Sequence, residues 1–230
     1  MHIPDGYLGP PTYIAGFAAI IPIWSLAAKK VKETFETRRV PLLAISAAFS
    51  FLVMMFNIPI PGGSTGHAVG AVLIAIAVGP WGACMAVSIA LIIQALLFGD
   101  GGITAIGANC FNMAFVMPFT GYYLYNGLGR AFGEGKGQAI AAAFASYVGI
   151  NIAAFFAALE FGIQPLLHTG PDGHPLYCPY PLSATIPAMM GEHLMLFGFV
   201  EALVTGLVVF YLQKSRSAWI LRSAGAEVSG

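Results

Sequence analysis

Long apolar runs, broken by short polar or glycine- and proline-rich connections, make up most of this chain. Read between those breaks, they predict helices near 9–28, 40–57, 67–80, 81–98, 105–127, 138–160 and 186–212. Most reach the roughly 20 residues that cross the ~30 Å hydrocarbon core of a bilayer. The third is shorter and meets the fourth at Gly79-Pro80-Trp81-Gly82. The expected fold is an all-α integral membrane protein with seven transmembrane helices in a single domain, 1–230. Residues 1–8 precede the spans, 9–213 hold them, and 214–230 form a tail. Several spans carry small residues at every fourth position: Ala44 and Ala48; Gly66 and Gly70; Ala141, Ala145, Gly149, Ala153 and Ala157; Gly198, Ala202 and Gly206. Such ridges let helices approach closely in lipid. Most should pack the bundle, and one left facing lipid could dock another membrane protein.

Composition supports this reading: 58% of residues are hydrophobic and only 9% charged, with mean hydropathy +0.80. Soluble domains carry about 25% charged residues. Seven spans use about 140 residues, which leaves no room for a separate soluble domain. A net charge of zero gives no reason to expect a nucleic-acid partner. The start lacks a basic segment followed by a short apolar run, so no cleaved leader is expected and Met1 is taken as the mature terminus.

The ten basic residues fall in three places: Lys29 to Arg39, Arg130 to Lys136, and Lys214 to Arg222. Seven spans put all three on one side, which the positive-inside rule makes cytoplasmic. The N-terminus is then outside and the C-terminus inside; an even number of spans spoils the partition. All five histidines, His2, His67, His168, His174 and His193, map to the outer half. So do Asn57, Gln94, Asn109, Asn112, Asn151, Asp100, Glu160 and Glu192, while Glu201 lies nearer mid-depth. Any one of them is readily explained by a bond to a neighbouring helix. The set together implies a polar chamber that opens outward.

The chemistry begins at Met1-His2. The Met1 amine, the His2 amide and the His2 imidazole can close a five- and a six-membered chelate on one metal. That leaves one corner of a square plane, a geometry suited to Ni(II) or Cu(II). Pro4-Asp5-Gly6 suits a tight turn that tucks the terminus back toward the bundle. The fourth corner calls for another imidazole, with His67 the first candidate and His193 the second. His168 and His174 read as loop histidines. Asp5, Gln94 and Glu192 are candidates to receive hydrogen bonds from the liganding rings. Cys84, Cys110 and Cys178 form no CxxC pair. They read as small apolar side chains, with a Cys110–Cys178 pairing left open.

The motifs bear on three function classes. The absence of GxxxxGK[ST] assigns any ATP use to another chain, and no HExxH supports an intramembrane metalloenzyme. A four-nitrogen square also leaves no in-plane position for the water a hydrolytic metal needs. An ion-coupled carrier predicts inverted repeats, and none is evident. A non-enzymatic metal-capture protein is the leading reading, with an ion-coupled secondary metal carrier kept as the alternative.

The opening MHIPDGYL, the loop PGGSTGHAVGAVLIAIAVGPW and the segment FGDGGITAIGANCFNMA resemble the NikM/CbiM family. Its members are substrate-capture subunits (S-components) of energy-coupling-factor (ECF) transporters for nickel and cobalt in the plasma membrane of prokaryotes. The resemblance implies a six-helix S-component bundle with an extra N-terminal helix. It implies a substrate Ni2+ or Co2+ held by the Met1 amine, the His2 amide, the His2 imidazole and His67. It further implies a membrane coupling subunit (T-component) docked on Ala44 and Ala48, a pair of cytoplasmic ABC ATPases and a small membrane accessory subunit. Pro4-Asp5-Gly6 favours the nickel branch, with cobalt supply as the alternative. No catalytic cofactor is expected.

Overall fold

Helices form nearly everywhere the apolar runs occur, as expected where backbone groups must be satisfied within each segment. The structure, a computed structural model, describes residues 1–34, 40–60, 64–133, 135–215 and 220. Apart from Lys214, Ser215 and Ile220, the expected tail lies outside the described residues. So do Arg38, Arg39, Arg216 and Arg222 among the basic residues.

Helix α1 (Pro10–Thr34) is followed by α2 (Val40–Met54) and then by a feature the helical reading did not include. Strands β1 (Ile58–Ile60) and β2 (Ser64–Gly66) pair antiparallel, with Ile58 opposite Gly66 and Ile60 opposite Ser64. Pro59 lacks an amide hydrogen and disfavours helix here. After the hairpin residues 67–70 form no regular secondary structure, so α3 (Ala71–Ile93) begins four residues later than expected. It is interrupted at Gly79 (φ 77°, ψ 161°), just before Pro80. The stretch ahead of that break, 71–78, spans only about 12 Å, well short of a full crossing. The third span is thus shorter than expected, because residues 67–70 serve as loop.

A π-helical turn, Gln94–Phe98, ends this rod. Helix α4 (Ile106–Cys110), a π-helical turn at Phe111–Val116 and α5 (Met117–Phe132) run on continuously and cover the expected span 105–127. Helices α6 (Lys136–Gly162) and α7 (Gln164–Leu167) follow. The last rod joins α8 (Leu182–Glu192), a π-helical turn at His193–Phe197 and α9 (Gly198–Lys214). Among the described residues, four stretches are long and apolar enough to cross a membrane: Pro10–Thr34, Ala71–Phe98, Lys136–Leu167 and Leu182–Lys214; Val40–Met54 is a shorter apolar helix.

The packing is inverted relative to a soluble protein. Along α9, Phe199, Leu203, Leu207 and Tyr211 are exposed, while Glu201, Thr205 and Val209 face inward. The ridge Ala141, Ala145, Gly149, Ala153 and Ala157 on α6 is buried, where α6 packs against α5, α8 and α9. Helices α1 and α4 meet backbone to backbone: a Cβ on Gly107 would stand 2.5 Å from the Phe17 nitrogen. Ala44 and Ala48 differ from these ridges, since both are exposed on α2. All three cysteines are free and buried, so Cys110 and Cys178 do not pair.

Candidate metal site

The N-terminal segment turns at Gly6 (φ 81°) and enters the bundle, where hydrogen bonds from distant parts of the chain fasten it. The Asn109 amide grips the Ile3 backbone at both ends, accepting from the Ile3 nitrogen (2.9 Å) and donating to the Ile3 oxygen (3.1 Å). That oxygen also accepts from the Gly102 nitrogen at 2.8 Å. The Ser64 hydroxyl donates to the His2 carbonyl at 3.1 Å. Asp5 accepts from the Ile103 nitrogen, the Thr104 nitrogen and the Thr104 hydroxyl. Further along, the Gln164 side chain accepts from the Gly9 nitrogen, and the Cys178 nitrogen donates to the Tyr7 carbonyl. As a result Met1 is only 1% exposed and His2 3%.

His67, wholly buried, lies against His2: the ring centroids are 4.6 Å apart and the planes 28° from parallel. His67 Nδ1 is 3.0 Å from the Ala68 carbonyl, which fixes the proton on Nδ1 and leaves Nε2 a free lone pair. That Nε2 is buried without a hydrogen-bond partner among the described residues, as is His2 Nε2. His2 Nδ1 stands 3.2 Å from Asp100 Oδ1, and the other Asp100 oxygen accepts from the Asn57 amide at 3.2 Å. An unpaired buried polar atom costs about 1–3 kcal/mol, so these orphaned nitrogens call for an occupant.

Charge at the site follows from burial. Burial pushes the Met1 amine down to about 4, against the opposing pull of Asp100 and Glu192. His2 is pushed down to about 3 by burial and then by the neighbouring amine, with Gln94 acting the other way. His67 is held well below its usual range by burial, then by the amine and by His2. Amine and both imidazoles are therefore neutral near pH 7, with lone pairs available to a cation. Among the described residues no three His, Cys, Asp or Glu side chains converge as a metal-binding group. A four-coordinate site here has to recruit backbone nitrogen.

The remaining predicted residues divide by position. Gln94 is buried and donates to the Phe51 carbonyl at 3.4 Å, while Glu192, half-buried, contributes its charge at the amine. Asp5 spends its carboxylate on the 103–104 backbone; burial is outweighed by those three bonds, which hold it below the usual carboxylate range. His193 is buried in the last rod, with Nδ1 2.7 Å from the Met189 carbonyl and Nε2 unpartnered. His168 packs its ring on Gly9 and Tyr177, and His174 is exposed. A cavity of about 280 Å3 lies beside the site, lined in part by Ser64, Cys178, Tyr180, Thr185 and Met189.

Sequence reasoning placed Asn109 and Asp100 in the polar outer half without assigning them a partner, and it did not single out Ser64. The signal was present only in that shared outer position. A further signal, invisible in the helical periodicity, is that Gln94, Asn112 and His193 all sit in π-helical turns. Such turns are often found at functional sites.

The family model for the CbiM cobalt uptake substrate-specific transmembrane region matches residues 2–219. The chain belongs to the CbiM family. The protein is 50% identical over 231 residues to the putative metal transport protein MJ1569 of Methanocaldococcus jannaschii, covering all of this chain and 99% of that protein. It is also 50% identical over 217 residues to the fused nickel transport protein NikMN of Rhodobacter capsulatus, covering 94% of this chain but only 62% of that longer protein. The probable fused nickel transport protein LarMN of Lactiplantibacillus plantarum matches at 49% identity, over 93% of this chain and 65% of its own length. A crystal structure of a truncated transition metal transporter superposes with TM-score 0.90 at 52% identity, covering 93% of this chain and 99% of that one. This CbiM-family chain is thus a nickel/cobalt transport-family protein of the multi-pass membrane class.

Proposed function

We propose that this protein captures Ni2+ at the outer face of the membrane and passes it inward as the S-component of an ATP-driven ECF transporter. The carrying observation is the burial of the Met1 residue, His2 and His67 together, with the Nε2 atoms of both rings left without a hydrogen-bond partner among the described residues. The substrate ion is held by the Met1 amine, the His2 amide after loss of its proton, His2 Nδ1 and His67 Nε2. Half a turn of the His2 ring about Cβ–Cγ exchanges Nδ1 with Cδ2, which frees Nδ1 from Asp100 and turns the Nε2 edge of the ring to that side. Asp100 can then accept from Nε2–H, as acceptors beside liganding imidazoles generally do. An all-nitrogen square suits Ni2+, and relatives named as nickel transport proteins support that preference over Co2+. ATP is used by a partner ATPase pair acting with a T-component and a small accessory subunit, since this chain carries no phosphate loop. The protein runs through the plasma membrane of a prokaryote seven times, the inserted loop 64–70 and the helical stretch 71–78 together making the third passage, with its N-terminus outside.

Ni2+ titration of purified protein tests the ligand set. His2→Ala and His67→Ala are each expected to lose tight binding, whereas His168→Ala and His174→Ala retain it. The wild-type complex should be yellow and diamagnetic, as low-spin square-planar Ni2+ is. A paramagnetic six-coordinate centre, or wild-type affinity with a blocked Met1 amine, would refute the site.

A further inference from the structure

The one carboxylate that the polarity pattern left near mid-depth, Glu201 on α9, is 1% exposed and reaches across to the loop that carries His67. Its Oε2 accepts from the Val69 nitrogen at 2.8 Å and the Gly70 nitrogen at 3.1 Å, and its Oε1 accepts from the Gly70 nitrogen at 3.0 Å. Val69 and Gly70 are the last two residues before α3, and Gly70 (φ 73°, ψ 7°) has no side chain to cap that helix. Glu201, more than 130 residues away, supplies the missing acceptor, and the helix dipole favours a carboxylate there. The loop is fixed from other sides too. The Ser50 hydroxyl donates to the Val69 carbonyl at 2.9 Å. At the preceding end, a Cβ on Gly66 would lie 1.9 Å from the Phe197 ring, so the strand is pressed against the same last rod.

His67 therefore stands between two anchor points, Gly66 on Phe197 and Val69-Gly70 on Glu201, both supplied by residues 193–214. We propose that Glu201 is a positioning residue for the substrate metal: by clamping the backbone two and three residues beyond His67, it sets where the fourth ligand nitrogen stands. The inference rests on the ligand set proposed above. A carboxylate that only capped α3 would contribute to folding and leave the metal's ligand field alone. A positioning carboxylate has to act through His67.

That difference can be measured on the intact chain in detergent, with Ni2+ as the probe and helical content and monodispersity as controls for folding. Glu201→Ala is expected to weaken Ni2+ binding about 10- to 100-fold and to shift the visible band toward that of His67→Ala. Combined with His67→Ala, the same substitution should cost less than about twofold more, because the group it positions is already gone. Glu201→Gln keeps one acceptor oxygen and should fall between wild type and Glu201→Ala, which serves if the alanine variant folds poorly. Equal losses in both His67 backgrounds, or a wild-type band and affinity in Glu201→Ala, overturn the proposal. Hydrogen exchange of the metal-free protein reads the clamp separately from the ligand set. Val69 and Gly70 amides should lose protection in Glu201→Ala, and retained protection refutes the clamp. Wild-type affinity in His67→Ala, by contrast, refutes the ligand set itself.

Discussion

The Met1 amine has one property that decides its use: as an ammonium it has no lone pair to give. An exposed terminus holds its proton below about 8, but this one, buried, releases it until about 4. Between those values the undocked terminus binds a proton that the docked one does not. Docking is therefore fully stable above pH 8 and weakens as pH falls toward 4, by about 1.4 kcal/mol per unit from the amine alone. His2 and His67, also pushed down by burial, add with the same sign below their ordinary range. In metal-free protein the protection of the Ile3 amide, which donates to Asn109, should fall at least about tenfold per pH unit across that window. Protection that stays flat from pH 8 to 5 would mean the terminus docks with its charge intact. Under the proposed ligand set, metal adds a further proton release, because the His2 amide has to ionise to bind. The nearness of amine, amide and imidazole at Met1-His2 was legible in the sequence, since it depends on two adjacent residues. The role of Asp100 beside His2 was not, because 98 positions separate them and only the fold closes that gap.

At the scale of elements, the site is built from a terminal segment and a loop inserted among helices. Each is held by side chains rather than by regular secondary structure. The Asn109 amide works as a short substitute for a neighbouring strand, satisfying both Ile3 backbone groups in a buried setting. Asn109→Ala leaves the Ile3 nitrogen without its acceptor while the Ile3 oxygen keeps its bond from Gly102, and an unmet buried backbone group costs about 1–3 kcal/mol. Asp5→Asn instead disturbs exposed bonds to residues 103 and 104, where a single hydrogen bond contributes about 0.5–1.5 kcal/mol. Ni2+ titration should accordingly show a loss of tenfold or more for Asn109→Ala and a smaller one for Asp5→Asn; the reverse order would remove Asn109 from its anchoring role. The helical rods were readable because apolar runs and breakers are local signals. The break at Gly79 falls at the junction that Gly79-Pro80 predicts. The hairpin at 58–66 and the late start of α3 were not readable. The loop between them is held by the Ser50 hydroxyl, which donates to Val69, and by Glu201, which accepts from Val69 and Gly70, and no periodicity within residues 58–70 reports partners that far away.

For the whole molecule, the distribution of small residues separates internal packing from an outward face. The α6 ridge is buried against its neighbours, and Gly66 and Gly70 are filled by Phe197 and Phe49. On α2 the pattern differs: Ala44 and Ala48 are exposed, with Ile45 and Leu52 exposed on the same helix, while Ser46 and Ser50 point inward. Four-residue spacing alone could not tell these ridges apart, because it is the same in each. A partner helix can approach the Ala44–Ala48 backbone closely, and under the ECF reading that partner is the T-component. Ala48→Trp fills this approach with a bulky ring but leaves Met1, His2 and His67 untouched. Purified Ala48→Trp should bind Ni2+ with wild-type affinity and the same yellow, diamagnetic spectrum. In cells expressing the coupling subunit and ATPases, its ATP-driven Ni2+ uptake should drop at least tenfold. Loss of binding together with uptake would make the α2 ridge part of the internal packing, and unchanged uptake would move the docking surface to another face.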